Sequence, residues 1–319
     1  MSMTVDVIIP VFMPDERLLT IIEKLRSQSV KPGRITVMNT GKSHWEEFIK
    51  GREEKVSALD LQLRHVDNIE FDHGRTRNEG AEGSAARFLL FMTQDAIPAD
   101  DKLIERLVCA FDNPDVGAAY ARQTVTEDAP LSEKFSRTFN YPEESLVKSS
   151  ADIERLGIKT FFCSNACAMY DREVYEKLGR FPVDMIFNED MVFARRLIES
   201  GKKIYYVADA KVIHFHNYTN KRQFKRNFDL AVSQAMHPEA FSGVSSESEG
   251  VRYAMKAFSY FVKQGKPLYF IPFAITCACR LVGYKLGKNY MKLSRKLVLK
   301  CTDSPYYFER LWGVNLCQK

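Results

Sequence analysis

Three short segments of the sequence carry the residue types that metal binding and proton transfer require. The run Phe91–Asp95 is apolar and ends in a carboxylate, Asn188–Asp190 holds an acidic pair, and His214–His216 holds two imidazoles. Carboxylates are hard oxygen ligands for divalent cations, and imidazole is a common metal ligand. A positioned Asp or Glu can also act as a general base. The sequence therefore predicts a site that binds a cation through one carboxylate and moves a proton with another.

Each segment also has a simpler structural interpretation. An aspartate after a strand often caps a helix or a turn, and Asp190 begins a predicted helix that Asn188 is placed to cap. His214 and His216 are two residues apart in a predicted strand, so both lie on one face, either as metal ligands or as polar residues at a sheet edge. The helix dipole stabilises an anion at Asp190. The short sequence distance between Asp190 and the histidines favours a shared site.

A further segment, Asp72–Asn78, precedes small residues with helical character and carries Arg75 and Arg77. Guanidinium groups and the amides at a helix N-terminus suit a diphosphate, although arginines in such a loop are more often simply solvated. No G-x-G-x-x-G motif follows a strand and no Walker lysine is present, so the usual dinucleotide-binding and P-loop arrangements are excluded.

An alternation of apolar strands and amphipathic helices has to position these residues. The spacing predicts strands at 5–11, 34–38, 61–66, 88–92 and 117–122, with helices at 16–28, 76–87 and 101–111. This alternation is typical of an α/β fold, with a mostly parallel sheet flanked by helices. Ligands of such sheets bind at the carboxyl ends of the strands, where Asn39, Asp67 and Asp95 lie.

Regular spacing fades between Thr124 and Lys159, which predicts a functional loop or lid. It returns with a predicted strand at 161–170, helices at 172–178 and 189–199, and closing strands at 203–207 and 211–216.

Composition and charge limit the class of protein. The chain has 319 residues, of which 45% are hydrophobic and 27% charged, as expected of a soluble globular core. Seven cysteines without a paired framework and an N-terminus unlike a signal peptide predict a cytoplasmic, reducing environment. The net charge is +5, but residues 251–300 hold eleven Lys or Arg and no acid, so the remainder of the chain is at −6.

The C-terminal region differs in character from the rest. Residues 242–250 are rich in Ser and Gly, which is typical of a linker. They predict one domain at 1–241 and a basic helical region at 242–319. The apolar run Pro267–Cys279 is predicted to be too short to span a bilayer. Basic and aromatic residues without acids favour an interfacial helix on an anionic membrane surface. A homodimer interface is the second interpretation, and a nucleic-acid surface is the least favoured.

The order and spacing of five motifs resemble family 2 glycosyltransferases of the GT-A fold, a Rossmann-like architecture. The resemblance covers roughly residues 4–220 and rests on the segments 7–11, 74–80, 91–96, 188–190 and 212–216. The chain resembles most closely the bacterial rhamnosyltransferases that use dTDP-L-rhamnose to build cell-wall or O-antigen polysaccharides.

The resemblance implies a role for each candidate residue. Asp95 and one or both of His214 and His216 would bind Mg²⁺ or Mn²⁺, with Thr-Gln-Asp here in place of a full Asp-x-Asp motif. Asp190 would be the catalytic base, and Asn165 and Glu189 would contact the acceptor. The residues implied in donor binding are Pro10, Val11, Phe12, Asn39, Asp67, Arg75, Arg77, Gln94 and Asp95.

The resemblance implies transfer with inversion of configuration from dTDP-L-rhamnose to a saccharide or lipid-linked saccharide. The enzyme would lie at the cytoplasmic face of the membrane. The Gln-x-x-Arg-Trp motif of processive synthases is absent, so non-processive transfer is expected. A UDP-hexose donor and a catalytically silent carbohydrate-binding protein are the alternatives. A nucleotidylyltransferase would need a glycine-rich loop that residues 10–17 lack.

Overall fold

The computed structural model of the chain describes residues 4–214, 216, 218–243 and 247–314. The backbone divides into two compact units. The first consists of the described parts of Met1–Glu127, Tyr141–Asp184 and Glu189–Phe215, and the second of those of Asp128–Asn140, Met185–Asn188 and His216–Lys319. The domain boundary that the sequence predicts at residue 241 stays a prediction, and part of the predicted linker, 244–246, lies outside the described residues.

The first unit is built on one mixed sheet. Its strands are β1 (Val5–Phe12), β2 (Arg34–Thr40), β3 (Gln62–Val66), β4 (Phe88–Met92), β5 (Ile97–Pro98), β6 (Val116–Thr124), β7 (Leu146–Lys148), β8 (Cys167–Asp171) and β9 (Lys203–Ile213). The strand order is β3-β2-β1-β4-β8-β6-β9-β5, and β7 also pairs with β9. Strands β1 to β4 form a parallel group, β8 runs antiparallel to both of its neighbours, and β6 and β9 are parallel.

The helices of both units, in chain order, are α1 (Glu16–Arg26), α2 (Lys42–Ile49), α3 (Glu53–Ser57), α4 (His73–Ala81), α5 (Leu103–Cys109), α6 (Leu131–Asn140), α7 (Ile153–Leu156), α8 (Arg172–Lys177), α9 (Glu189–Glu199), α10 (Asn220–Met236), α11 (Pro238–Phe241), α12 (Glu247–Lys263), α13 (Phe270–Lys288), α14 (Arg295–Cys301) and α15 (Pro305–Trp312). Short 3₁₀ helices lie at 110–112, 150–152, 157–161, 267–269 and 290–292.

Burial in the core explains why strands β1 and β4 can be recognised in the sequence. Every residue of β4 is buried, as are the side chains of β1 from Val5 to Ile9. A strand covered on both faces needs a continuous apolar run rather than an alternating one. Helix α1 packs its Leu and Ile face on this sheet, and Asp15 caps it by accepting a hydrogen bond from the Arg17 amide. The predicted α/β fold is confirmed.

Three predicted elements are wrong in detail. The strand predicted at 161–170 begins only at Cys167, as β8, because residue 161 ends a 3₁₀ helix and residues 162–166 form a loop and turn. The two closing strands are one strand, β9, in which the register with β6 jumps from Val207 to Lys211, so residues 208–210 bulge out. The predicted loop at 124–159 contains α6 and β7. Strand β7 has only three residues, and the register jump interrupts the alternation along β9.

The second unit is helical. Aromatic rings from α6, α12 and α13 form one of its cores, around Phe135, Phe261 and Phe273. Residues Pro267–Lys288 are long and apolar enough to cross a membrane by length and composition, and few of them are buried. The prediction that this run is too short was therefore wrong on length, because the helix continues beyond the apolar run.

Candidate active site

The carboxyl ends of the four parallel strands bring the first set of predicted residues to one edge of the sheet. Pro10 and Val11 are within β1, and Phe12 ends it with 48% of its side chain exposed. The amide of Gln94 clamps the Phe12 backbone, because Oε1 accepts from the Phe12 N–H at 2.7 Å and Nε2 donates to its carbonyl at 2.9 Å. Gln94 thus positions the end of β1, and both polar atoms of its side chain are hydrogen-bonded to the Phe12 backbone.

The neighbouring strands contribute one buried and one exposed polar residue. Asn39, in β2, is fully buried, and its Nδ2 donates to the Gly41 carbonyl at 3.0 Å and lies 3.1 Å from Nδ1 of His65. Asp67 directly follows β3, and its side chain is exposed. Asn39 therefore shapes the turn after β2, whereas Asp67 is accessible to a ligand.

The register of β5 against β9 brings Asp95 to His214. Ile97 pairs with Ile213 in an antiparallel ladder, so the residues just before Ile97 lie beside those just after Ile213. Nε2 of His214 is 3.2 Å from Oδ1 of Asp95, and both side chains are largely buried. The two histidines do not lie on a strand as predicted, since β9 ends at Ile213.

One ligand atom from each of Asp95, His214 and His216 lies within 4.8 Å of the others. A carboxylate oxygen and two imidazole nitrogens at this spacing fit a divalent cation. The donor set predicted from the sequence is thus assembled in space.

Two residues that sequence reasoning missed orient His214. Nδ1 of His214 is 2.8 Å from Oε1 of Gln123, in β6, and Nε2 of Gln123 donates to Oγ of Ser164 at 3.0 Å. A carboxamide oxygen at Nδ1 suits a tautomer in which Nδ1 donates to Gln123, and Nε2 then faces Asp95. Metal-bound histidines usually donate their second N–H in this way.

The acidic pair at the start of α9 forms the second part of the site. Glu189 is buried, its Oε1 forms an ion pair with Nη1 of Arg77 at 3.0 Å, and the same oxygen accepts a hydrogen bond from Nδ2 of Asn165 at 3.2 Å. Burial alone raises the pKa of the Glu189 carboxyl, but the charge of Arg77, the nearby His73 and the Asn165 hydrogen bond together hold it below its usual range. Glu189 is therefore ionised at neutral pH.

Asp190 has the opposite electrostatic environment. Burial first, and then repulsion from Glu189, raises the pKa of its carboxyl to about 7. Its oxygens accept from the backbone N–H groups of Met191 at 2.8 Å and Asn165 at 3.3 Å, and the residue keeps part of its surface accessible. A carboxylate that is hydrogen-bonded in place on a partly exposed residue, with a pKa near the working pH, suits a general base.

Asn165 connects the two acids to the core. Its backbone N–H donates to Asp190, its Nδ2 donates to Glu189, and its Oδ1 accepts from the Tyr170 hydroxyl at 2.9 Å. Asn165 is buried. The structure places it as the residue that positions both acids.

An aromatic cluster lies beneath this arrangement. Five buried rings from β4, β8, α8, α9 and the loop before α9 meet edge-on or tilted at centroid distances from 5.0 to 6.0 Å; they belong to Phe91, Tyr170, Tyr175, Phe181 and Phe193. Each such pair contributes about 0.5–1.5 kcal/mol beyond its buried area. The cluster fixes the start of α9 against the sheet.

The segment Asp72–Asn78, predicted to bind a diphosphate, contacts other protein groups in the structure. The Asp72 carboxylate caps α4 by accepting from the amides of Gly74 at 3.0 Å and Arg75 at 2.8 Å, so these helix amides are occupied. Arg77 is buried against Glu189, and Arg75 pairs with Asp184 at 3.0 Å on the surface. The Arg77 side chain therefore belongs to the acidic pair, and Arg75 is the exposed guanidinium of the two.

A buried lysine supports the loop that carries Ser164 and Asn165. Nζ of Lys148, at the end of β7, donates to the carbonyls of Lys159, at 3.1 Å, and Phe162, and to the Tyr120 hydroxyl at 3.3 Å. Burial lowers the pKa of the ammonium group to about 7. A lone lysine in an irregular stretch gave no sign of this role.

Comparison with known proteins identifies the family. The model of the family described as glycosyl transferase family 2 matches residues 6–179, which is more than half of the chain. This chain belongs to glycosyl transferase family 2.

Curated relatives of this glycosyltransferase are similar over most of its length. The O-antigen chain rhamnosyltransferase RfbN of Salmonella typhimurium is 36% identical over 300 residues, covering 91% of each chain. The O-antigen chain rhamnosyltransferase WbaN of Salmonella anatum is 41% identical over 285 residues, covering 81% of this chain and 89% of its own.

Solved structures share the fold of this glycosyltransferase at low identity. The mannosyltransferase PcManGT of Pyrobaculum calidifontis, solved with GDP-Man and Mn²⁺, is 14% identical with a TM-score of 0.55, covering 98% of this chain and 88% of its own. TarS of S. aureus (residues 1–349) is 13% identical with a TM-score of 0.50, covering 91% of each chain. These likenesses confirm the GT-A fold.

The family match of this glycosyltransferase ends before several of the residues described above. Asp95, Gln123 and Asn165 lie inside the matched range, whereas Glu189, Asp190 and the two histidines follow it. The local geometry, rather than the matched range, brings the second group to the site.

Proposed function

We propose that this enzyme transfers L-rhamnose from dTDP-L-rhamnose to a saccharide acceptor in the synthesis of a surface polysaccharide. The observation that carries the choice of sugar is the similarity, over most of the chain, to two O-antigen chain rhamnosyltransferases. The observation that carries the chemistry is the carboxyl of Asp190, a partly exposed residue, whose pKa burial and Glu189 raise to about 7.

Asp190 acts as the general base in this proposal. It takes the proton from the acceptor hydroxyl while that oxygen forms a bond to the anomeric carbon and the bond to the diphosphate oxygen breaks. The product is an inverted glycoside, dTDP leaves, and the proton on Asp190 returns to solvent. Glu189 stays ionised against Arg77, and Asn165 holds Asp190 through its backbone N–H.

The residues Asp95, His214 and His216 would hold a divalent cation. Bound there, it would offset the negative charge of the leaving diphosphate. We propose Mn²⁺ or Mg²⁺, and the imidazole ligands favour Mn²⁺, since Mg²⁺ prefers oxygen donors alone. Gln123 keeps Nε2 of His214 available as a ligand.

The donor nucleotide lies along the carboxyl ends of β1, β2 and β3. Pro10 and Val11 form the floor there, and the exposed ring of Phe12 offers an aromatic surface to the base. Asp67 is placed to accept hydrogen bonds from the nucleoside, and Arg75 contributes positive charge. Asn39 supports this edge from the core.

The acceptor in this proposal is a lipid-linked saccharide at the cytoplasmic face of the membrane. The enzyme works there as a peripheral protein and adds its sugar without processive polymerisation. The chain supports this location through its acid-free, basic C-terminal segment.

A donor panel tests the sugar assignment. We expect hydrolysis or transfer with dTDP-L-rhamnose in the presence of Mn²⁺, detected as released dTDP, and much weaker turnover with UDP-glucose or UDP-N-acetylglucosamine. A clear preference for a UDP-hexose would replace the rhamnose assignment and leave the transferase fold intact.

The cation site has its own test. Asp95→Ala should abolish the dependence of turnover on added Mn²⁺ and weaken Mn²⁺ binding, measured by electron paramagnetic resonance of the free ion. Asp100→Ala is a matched control, because Asp100 pairs with Arg106 away from the cluster. An unchanged Mn²⁺ affinity in Asp95→Ala would remove Asp95 from the ligand set.

A further inference from the structure

The two long helices of the second unit are apolar on the side that faces away from its core. On α12, Ala257 and Phe261 are buried in the aromatic core of the second unit. The other side of the same helix carries Val251, Met255, Phe258 and Val262, each between 48% and 67% exposed. Their spacing of three and four residues places them on one face. A helix on the surface of a soluble protein normally has a polar outer face.

Helix α13 repeats this arrangement. Phe273 packs inward, while Ile271, Ile275 and Val282 are at least half exposed and follow one face. The chain between the helices adds Leu268, with 75% of its side chain exposed. We call these outward residues of α12, α13 and their connection the apolar face.

Basic residues accompany the apolar face along the sequence. Residues 251–300 contain eleven Lys or Arg and no Asp or Glu. Lys256 and Lys263 on α12 and Lys285 on α13 are exposed. An apolar helical surface with lysines around it complements an anionic bilayer, where acyl chains accept the apolar residues and headgroups the charges.

The contacts of α13 distinguish lying on a membrane from crossing it. A Cβ at Gly283 would be 2.2 Å from the Phe224 carbonyl oxygen of α10, and one at Gly287 would be 2.3 Å from that of Phe228, so the two helix backbones touch. Helix α10 also carries Lys221, Arg222, Lys225, Arg226 and Asp229. Taking α13 across a bilayer would bring these charges into hydrocarbon or separate the two helices.

Polar side chains bind the same pair of helices along their length. Thr276 Oγ1 donates to Asn220 at 2.7 Å, Arg280 Nε donates to Gln223 at 3.0 Å, and the Tyr284 hydroxyl donates to Gln234 at 2.8 Å. Gln223 and Gln234 are buried and would lose these partners if α13 left α10. One side of α13 therefore packs against α10, and the other side carries the exposed apolar residues that can contact a membrane.

We propose that the apolar face docks in the plane of an anionic phospholipid bilayer, with α12 and α13 lying in the interface and neither crossing it. The docking uses no residue assigned to sugar transfer. It rests on the peripheral location that belongs to the proposed function. Because it is measured without substrates, its failure would leave the proposed sugar transfer standing.

Vesicle sedimentation with the full chain tests the proposal. We expect binding to phosphatidylcholine vesicles containing phosphatidylglycerol, weaker binding to pure phosphatidylcholine, and release by salt. The double variant Met255→Glu/Ile275→Glu should weaken binding by about tenfold or more, since it places charge in the buried apolar layer. Each of Lys256→Gln, Lys263→Gln and Lys285→Gln should weaken it by about fivefold.

Val183→Glu is the matched control, because Val183 is an exposed valine of the first unit. It should bind vesicles like the parent chain, and circular dichroism should show that all variants are folded. Unchanged binding of Met255→Glu/Ile275→Glu would overturn the proposal.

Two further results would also overturn it. Resistance of the membrane-bound protein to extraction with alkaline carbonate would mean that α13 crosses the bilayer. Conversion of a dimer to a monomer by Met255→Glu/Ile275→Glu, with vesicle binding retained, would mean that the apolar face joins two copies of the chain.

Discussion

The end of β4 and the start of α9 both present carboxylates to the active site, but the two regions prepare them for different chemistry. At the end of β4, Asp95 faces an imidazole nitrogen, 3.2 Å from His214. At the start of α9, Glu189 faces a guanidinium and Asp190 faces Glu189. The first region places ligand atoms at a spacing that suits a cation. The second region gives two adjacent carboxyl groups different pKa values.

The difference shows that the neighbours of a carboxylate decide its role more than its residue type does. Arg77 keeps Glu189 ionised, and that fixed negative charge then helps to raise the pKa of Asp190. Near Asp95, the hydrogen bond from His214 to Gln123 orients the imidazole instead. Asn165 and Ser164 are adjacent in sequence, so one short loop supports both regions.

The largest expected effect comes from removing the base. Asp190→Asn keeps the shape of the side chain but cannot accept the acceptor proton, so turnover should fall by about 10²-fold or more. Nucleotide affinity, measured by calorimetry with dTDP, should stay within about twofold, since the base is expected to contact only the acceptor. Near-normal turnover would show that another group takes the proton.

The next effect concerns the ion pair that keeps Glu189 ionised. Arg77→Met leaves a buried carboxylate without its partner and should destabilise the fold by about 3–5 kcal/mol, measured by urea unfolding at neutral pH. Arg75→Met is the matched control, because the Arg75–Asp184 pair is exposed, and it should cost about 1 kcal/mol or less.

A second substitution separates charge from packing in this pair. Adding Glu189→Gln to Arg77→Met removes the uncompensated charge and should recover part of the lost stability. If the double variant is less stable than Arg77→Met alone, packing rather than charge explains the loss.

A smaller effect is expected where His214 is oriented. Gln123→Met preserves the side-chain volume but removes the acceptor for Nδ1, so Mn²⁺ affinity should fall by about 10- to 100-fold. Turnover at saturating Mn²⁺ should recover most of its value, because the ligands themselves are unchanged. Loss of turnover without loss of Mn²⁺ affinity would assign Gln123 a role outside the cation site.

Sequence reasoning named the candidate ligands and the candidate base, whose roles stay predictions, but not the residues that contact them. Asp95, Asp190 and His214 were predicted because each is a chemically distinctive residue at the end of a regular element. The bounds of α9 were predicted as found, and the buried strands β1 and β4 were recognisable as apolar runs. Such local patterns are visible because burial repeats along the chain.

Gln123, Ser164 and Lys148 were missed because their roles arise only from tertiary contacts. Gln123 and His214 are 91 residues apart, and Gln123 and Ser164 are 41 apart. Lys148 binds loop carbonyls, which no side-chain pattern encodes. The sequence also does not show that Arg77 pairs with Glu189, and the predicted role of Arg77 at the diphosphate stays a prediction.

The pH dependence of catalysis tests the contrast between Glu189 and Asp190 most finely. The base must be deprotonated, so kcat/KM for the acceptor should fall about tenfold per pH unit below a pKa of about 7 and level off above it. Glu189→Gln removes the repulsion that contributes to the raised pKa, so its profile should shift to lower pH while burial keeps the pKa above that of an ordinary aspartate. An unshifted profile in Glu189→Gln would mean that burial alone sets the proton affinity of Asp190. A plateau that extends below pH 5 in the parent enzyme would instead remove Asp190 from the rate-determining proton transfer.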